Sequence, residues 1–124
     1  MSQDKNTIVL EAVNIASTKW KHSFNSGDAT GCASQYEEDA IMNAKPFGLY
    51  MGTVAIQAFW QKLIDDGFSE VDYIEPNINV IDEKSALLTS RWKMNNAQGI
   101  ITKELWVIQS DGTAKLREDN FEVQ

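Results

Sequence analysis

The amino-acid sequence predicts an α+β fold, cone-shaped, with three N-terminal helices packed on a curved, mainly antiparallel sheet. Two observations predict it. Apolar residues recur at helical spacing in the first half of the chain and give way to long extended segments in the second half. Those segments are joined by short polar turns, which suits a meander of antiparallel strands covered on one face by helices.

Each element follows from local chemistry. Asn6 to Asn25 reads as an amphipathic helix, because Val9, Ala12, Val13, Ala16, Trp20 and Phe24 share one side while Lys19, Lys21 and His22 fall away from it. Gly27 closes that helix. Asp28 is a good N-cap for a short second helix running through Cys32 and Tyr36, with Tyr36-Glu37-Glu38-Asp39 as its solvated end and the following turn. Ala40 to Ala44 is a short strand, Lys45-Pro46-Phe47-Gly48 a turn, and Leu49 to Met51 a brief extended piece. Thr53 caps a third helix that buries Ile56, Phe59, Trp60, Leu63 and Ile64, and Gly67 suits the left-handed residue that ends it. Strands are expected at Glu70 to Ile81, Ser85 to Asn95, Gly99 to Gln109 and Ala114 to Val123.

A chain of 124 residues with 43% hydrophobic and 23% charged residues fits one globular domain, 1–124, able to bury a core without disulfides or metal. No apolar run is long enough to span a bilayer, and the opening Met-Ser-Gln-Asp-Lys lacks a secretory signal, so a cytoplasmic location is expected. The net charge of −7 repels phosphate backbones and anionic membranes, which argues against nucleic acid or membrane partners. Cys32 is the single cysteine, so an internal disulfide, a cysteine-rich zinc site and a CxxC pair are excluded, and a small buried apolar role is expected for it. No GxGxxG, P-loop, HExxH or GxSxG occurs, and the acidic run at Glu37 lacks calcium-loop spacing; no metal and no cofactor are expected.

The candidates for chemistry are few. His22 falls away from the apolar stripe and is expected at the surface. Trp20, Tyr36, Met42, Phe59, Trp92, Met94 and Trp106, with Phe121, are the residues expected to converge inside the cone, as core packing or as the wall of a small-molecule pocket. Glu104, on the strand face of Trp106, and Arg117 or Asp119, alternating with Phe121, share that space by strand parity. A carboxylate among tryptophan rings has a raised pKa and can act as acid or base; the competing reading is an ion pair with Arg117 across adjacent strands. The opposite face of the Gly99 to Gln109 strand carries Ile101, Leu105 and Val107, which the helices cannot also cover, so a homodimer through the outer sheet face is expected.

Four stretches in this order, Trp20 to Asp28 (WKHSFNSGD), Tyr36 to Ala40 (YEEDA), Gly52 to Trp60 (GTVAIQAFW) and Asp119-Asn120-Phe121, make the chain resemble the nuclear transport factor 2-like superfamily. Within it the SnoaL-like and ketosteroid-isomerase-like proteins are the most similar. The resemblance implies a bent sheet around the long helix and an open cone. It also implies a departure: a gapless alignment puts Trp20, Ala44 and Trp106 where steroid isomerases of this fold keep a tyrosine and two aspartates, so steroid isomerisation by that mechanism is rejected. Three readings remain. The first is a binding protein for a small apolar molecule, the second a cofactor-independent lyase, isomerase or hydrolase using Asp119 or Glu104, and the third a dimeric module whose cone is filled by its own side chains.

Overall fold

In the computed structural model, which describes residues 5–124, three helices cover one face of an open six-stranded sheet. Met1 to Asp4, on which part of the leader reading rests, lie outside the described residues. The helices are α1 (Lys5–Asn25), α2 (Ala29–Ala33) and α3 (Thr53–Asp65). The strands are β1 (Tyr36–Lys45), β2 (Gly48–Met51), β3 (Asp72–Asp82), β4 (Ser85–Lys93), β5 (Gln98–Ile108) and β6 (Ala114–Val123). They lie in the order β2-β1-β6-β5-β4-β3, antiparallel except for the parallel pair β1 and β6. No helix among the described residues is long and apolar enough to cross a membrane.

The helix α1 lies across β3 to β6 and buries Val9, Val13, Ala16, Trp20 and Phe24, the stripe that helical spacing predicts. Asp28 caps α2 by accepting from the Gly31 amide at 2.9 Å. Two local readings need correction. The short helix stops at Ala33, and Tyr36 opens β1 with its side chain turned into the core; the helical spacing after Asp28 breaks because Leu116 and Tyr36 pair across β6 and β1. At α3 the N-cap is Gly52, in a left-handed backbone conformation (φ 84°), and no side chain caps the helix.

Two β-bulges decide which side chains face inward. On β5, Ile101 pairs with Phe121 and Lys103 with Asn120, so Thr102 is an extra residue without a partner. On β6, Leu116 pairs with Trp106 and Glu118 with Leu105, which makes Arg117 the extra residue. Simple alternation places Ile101 on the outer face of β5; the bulge turns it inward, alongside Gly99, Glu104 and Trp106, and leaves Ile100, Leu105 and Val107 half-buried on the outer face. On β6 the same device puts Ala114, Leu116, Asp119 and Phe121 inside and pushes Arg117 out. Gly99 has no alternative side chain available, since a Cβ there would overlap the Glu122 carbonyl and approach the Trp92 ring within 2.7 Å.

The connection between α3 and β3 is held by two asparagines that imitate strand pairing. Asn25 accepts from the Val71 amide at 2.7 Å and donates to the Val71 carbonyl at 3.0 Å. Asn95 accepts from the Ser69 amide at 3.1 Å and donates to the Gly67 carbonyl at 2.9 Å. This loop is thereby fixed against α1 and the end of β4, with Phe68 and Val71 directed inward.

Candidate functional site

The interior between α1, α3 and the sheet contains a cavity of about 210 Å³. Its enclosed end is built by Trp20 from α1, Trp60 from α3, and Trp92, Glu104, Asp119 and Phe121 from the sheet, all buried. Its open end is built by Phe47, from the turn between β1 and β2, with Phe68, Met94, Asn96 and Ala97. The wall carries two acids and no Lys, Arg or His.

Aromatic rings form a continuous line through this wall. Trp20 meets Trp60 edge to face at 5.0 Å between centroids, Trp60 stacks on Phe121 at 5.6 Å, and Phe121 meets Trp92 edge to face at 6.3 Å. Both edge-to-face and stacked arrangements are favourable for the ring quadrupoles, so the wall is rigid as well as apolar.

The two carboxyl groups are direct cross-strand partners, Glu104 on β5 opposite Asp119 on β6. Because of the two bulges they share the interior with Gly99 and Ile101 on β5 and with Ala114 and Leu116 on β6. The Tyr36 hydroxyl donates to Asp119 Oδ2 at 2.6 Å and accepts from the Trp60 indole N–H at 3.2 Å. The Trp106 indole N–H donates to Glu104 Oε1 at 2.9 Å. Among the described residues neither acid has a cationic partner; Arg117 instead pairs with Glu37 at 2.7 Å on the outside, which removes the ion-pair reading with Arg117 for Asp119 and Glu104.

Burial is the dominant electrostatic influence. It raises the pKa of Asp119 to about 6, against the opposing pull of the Tyr36 hydrogen bond. Glu104 is raised well above the ordinary carboxylate range, first by burial and then by the charge of Asp119, with the Trp106 N–H opposing. Two carboxyl groups facing each other in an apolar site cannot both ionise easily, so near neutral pH the pair shares one proton. Tyr36 and Tyr73 are also raised, chiefly by burial and then by these acids, and stay as hydroxyl donors.

Of the residues singled out from the sequence, Trp20, Trp92, Met94, Phe121, Glu104 and Asp119 line the cavity. Tyr36, Met42, Phe59 and Trp106 stand behind its wall. Tyr36 and Trp106 are buried supports of the two acids, Met42 packs with its sulfur 3.8 Å from the Tyr36 hydroxyl, and Phe59 packs against Trp60 and Tyr50. His22 is exposed on α1, as its place off the apolar stripe predicts, and is not among the lining residues, and Cys32 is fully buried with its thiol facing the Trp20 carbonyl. Trp60 and Tyr73 belong to the wall although only the first was expected to be buried. The signal for Trp60 was its place between Ile56 and Leu63 on one helix face; Tyr73 had none, because it sits beside the irregular stretch around Pro76.

No protein-family model and no curated protein sequence matches the chain. Solved structures do. A scytalone dehydratase-like protein from Novosphingobium aromaticivorans superposes with a TM-score of 0.82 at 16% identity, covering 98% of this chain and 87% of that one. A ketosteroid isomerase-like protein from Erwinia carotovora atroseptica gives 0.77 at 12% identity, with 92% and 95% covered. ActVI-ORFA from Streptomyces coelicolor gives 0.76 at 14%, with 93% and 96% covered. Likeness at such low identity is a likeness of backbone, and by it the chain shares the α+β fold of these proteins.

Proposed function

We propose that this protein is a cytoplasmic, cofactor-independent acid–base enzyme of the lyase or isomerase type, acting on a small, flat, largely apolar molecule. The observation that carries this reading is the Glu104 and Asp119 pair in the wall of an aromatic cavity, one acid and one base held side by side without a cation. A site built only for apolar binding gains nothing from two buried carboxyl groups, whose desolvation costs several kcal/mol unless their chemistry is used. The similarity in fold to dehydratase-like and isomerase-like proteins agrees with it.

The chemistry uses the shared proton, which this reading places on Glu104. Asp119 takes a proton from a carbon made acidic by a neighbouring carbonyl, and Glu104 gives its proton to the oxygen on which charge develops. Where that oxygen is a leaving hydroxyl it departs as water and a carbon–carbon double bond forms; where it is the carbonyl, an enol results that can be reprotonated elsewhere. Transfer of the proton from Asp119 back to Glu104 resets the pair in the dehydration.

This can be tested without knowing the substrate. β-Tetralone fits the cavity class and has exchangeable protons beside its ketone, so the protein in heavy water should accelerate deuterium uptake over buffer, seen by NMR. General-base catalysis is worth about 100-fold or more, and the Asp119→Asn variant should lose it. Tetralone that binds without accelerated exchange would sink the enzyme reading and leave that of a binding protein, which the apolar wall favours.

We also propose that the chain forms a homodimer through the outer face of β4 and β5. Ile100, Leu105 and Val107 are half-buried on a face that the helices leave uncovered. Sedimentation at micromolar concentration should give a dimer, and Leu105→Lys should give a monomer; a wild-type monomer at high micromolar concentration would contradict this.

A further inference from the structure

One hydroxyl at the acid pair has the direction of its hydrogen fixed by its surroundings. Tyr36 opens β1 opposite Leu116 of β6, and its side chain reaches three residues further along β6, to Asp119. The hydroxyl is buried, with the Trp60 indole nitrogen at 3.2 Å, Asp119 Oδ2 at 2.6 Å and the Met42 sulfur at 3.8 Å. An indole N–H can only donate, so towards Trp60 the phenol oxygen accepts and its own hydrogen must turn elsewhere. The thioether is a weak acceptor and lies farther off. Asp119 therefore receives the hydrogen, and 2.6 Å falls in the range of a hydroxyl donating to a carboxylate. Glu104 receives a lesser bond, from the Trp106 indole N–H at 2.9 Å.

We propose that Tyr36 is the positioning residue that tells the two acids apart: turned to Asp119 by the Trp60 indole, its hydroxyl keeps Asp119 ionised and leaves the shared proton on Glu104. A hydrogen bond to the charged form of an acid favours that form, and a hydroxyl that itself accepts a hydrogen bond is the stronger donor. Burial, and then the Asp119 charge, keeps Tyr36 protonated, with the Trp60 N–H opposing. The other titratable groups nearby do not supply this bias. Tyr73 on β3 is raised chiefly by burial and then by the charges of Glu104 and Asp119, so it stays neutral. Cys32 on α2 is pushed up to about 12, chiefly by burial. From α1, α3 and β4 the wall takes Trp20, Trp60 and Trp92, and it holds no Lys, Arg or His.

The proposal rests on the acid–base reading of this pair, and carboxyl titration by NMR tests it without any turnover. In wild type the Asp119 Cγ signal should ionise before the Glu104 Cδ signal. Tyr36→Phe keeps the ring and removes the donor; Asp119 should then ionise about one to two pH units higher, the scale of a hydrogen bond to a charged group, and Glu104 lower. Trp60→Phe frees the hydroxyl to turn and should shift Asp119 the same way by less. Trp106→Phe should widen the gap between the acids, where Tyr36→Phe narrows or reverses it. Loss of packing alone would not move the two acids in opposite directions. The unaltered protein offers a further readout, since the buried Tyr36 hydroxyl proton should move downfield as Asp119 ionises. Glu104 ionising first in wild type, an Asp119 titration unchanged in Tyr36→Phe or Trp60→Phe, or a Tyr36 hydroxyl signal indifferent to Asp119 would each overturn the proposal, the first and last even where a variant does not fold. With tetralone, the acid limb of deuterium uptake should move upward in Tyr36→Phe together with the Asp119 titration. Uptake whose acid limb stays in place would keep the enzyme and overturn the proposal, while the expected titrations without uptake would keep the role of Tyr36 at Asp119 and remove the enzyme.

Discussion

Asp119→Asn is expected to stabilise the protein at pH 8 and to abolish its proton transfer. The sign follows from linkage. The folded-state pKa of Asp119 is raised, to about 6 from an ordinary value of 3.8, so between these two values the native state binds more protons than the unfolded chain. Its contribution is therefore intact below about pH 4 and is lost as pH rises through about 6. Asparagine has no charge to bury, can still accept from Tyr36, and escapes this loss. A shift of that size corresponds to about 2–3 kcal/mol, so the stability difference between variant and wild type should grow by that amount from pH 4 to pH 8 in urea titrations. The pairing with Glu104 gives a second readout. Without the Asp119 charge Glu104 should ionise at lower pH. A variant whose advantage is the same at both pH values would show that Asp119 is not held against burial.

Trp106→Ala is expected to cost about 3–5 kcal/mol of stability, the range for deleting a large buried ring. Trp106 is fully buried and does not reach the cavity, so the ring acts as structure and its N–H as the support of Glu104. Trp106→Phe separates the roles. It restores most of the packing but removes the donor, which now lowers the Glu104 pKa, so the acid should hold its proton to still higher pH. Denaturant midpoints measure the first effect and carboxyl titration by NMR the second. A Trp106→Ala variant as stable as wild type would contradict the burial; a Trp106→Phe variant with unchanged Glu104 titration would contradict the support.

The order of helices and strands could be read from apolar spacing because that signal depends on each segment alone. The helical stripe of α1 and the strand limits from Ser85 onward needed only local chemistry. What could not be read depends on partner strands. A bulge exists only relative to the neighbouring strand's pairing, so nothing in the run from Gly99 to Gln109 announces that Thr102 has no partner, and strict alternation puts Ile101 outside. The same parity places Arg117 beside Asp119, whereas in the fold it lies outside with Glu37. Tyr36 is similar. Its spacing from Asp28 suits a helix, and only the parallel pairing with β6 recruits it into a strand. Of the cavity wall, residues on regular stretches such as Trp20, Trp92 and Phe121 were legible. Phe47 and Phe68 come from a turn and a loop whose direction is set by long-range contacts.

Thr102 and Arg117 have a consequence for how such a cavity can change over generations. Each absorbs one residue of length: losing Thr102 would leave Gly99, Ile101, Glu104 and Trp106 inward on a regular strand, whereas keeping the residue and pairing the strand without the bulge would replace Glu104 and Trp106 by Lys103, Leu105 and Val107, or Ile101 and Gly99 by Thr102, Ile100 and Gln98. A lineage could thus take up or shed a codon at these two points with the chemistry of its interior unchanged. A gap of one residue at such a bulge therefore leaves the reacting groups of the late strands in place, while the same gap elsewhere in these strands turns them to the other face.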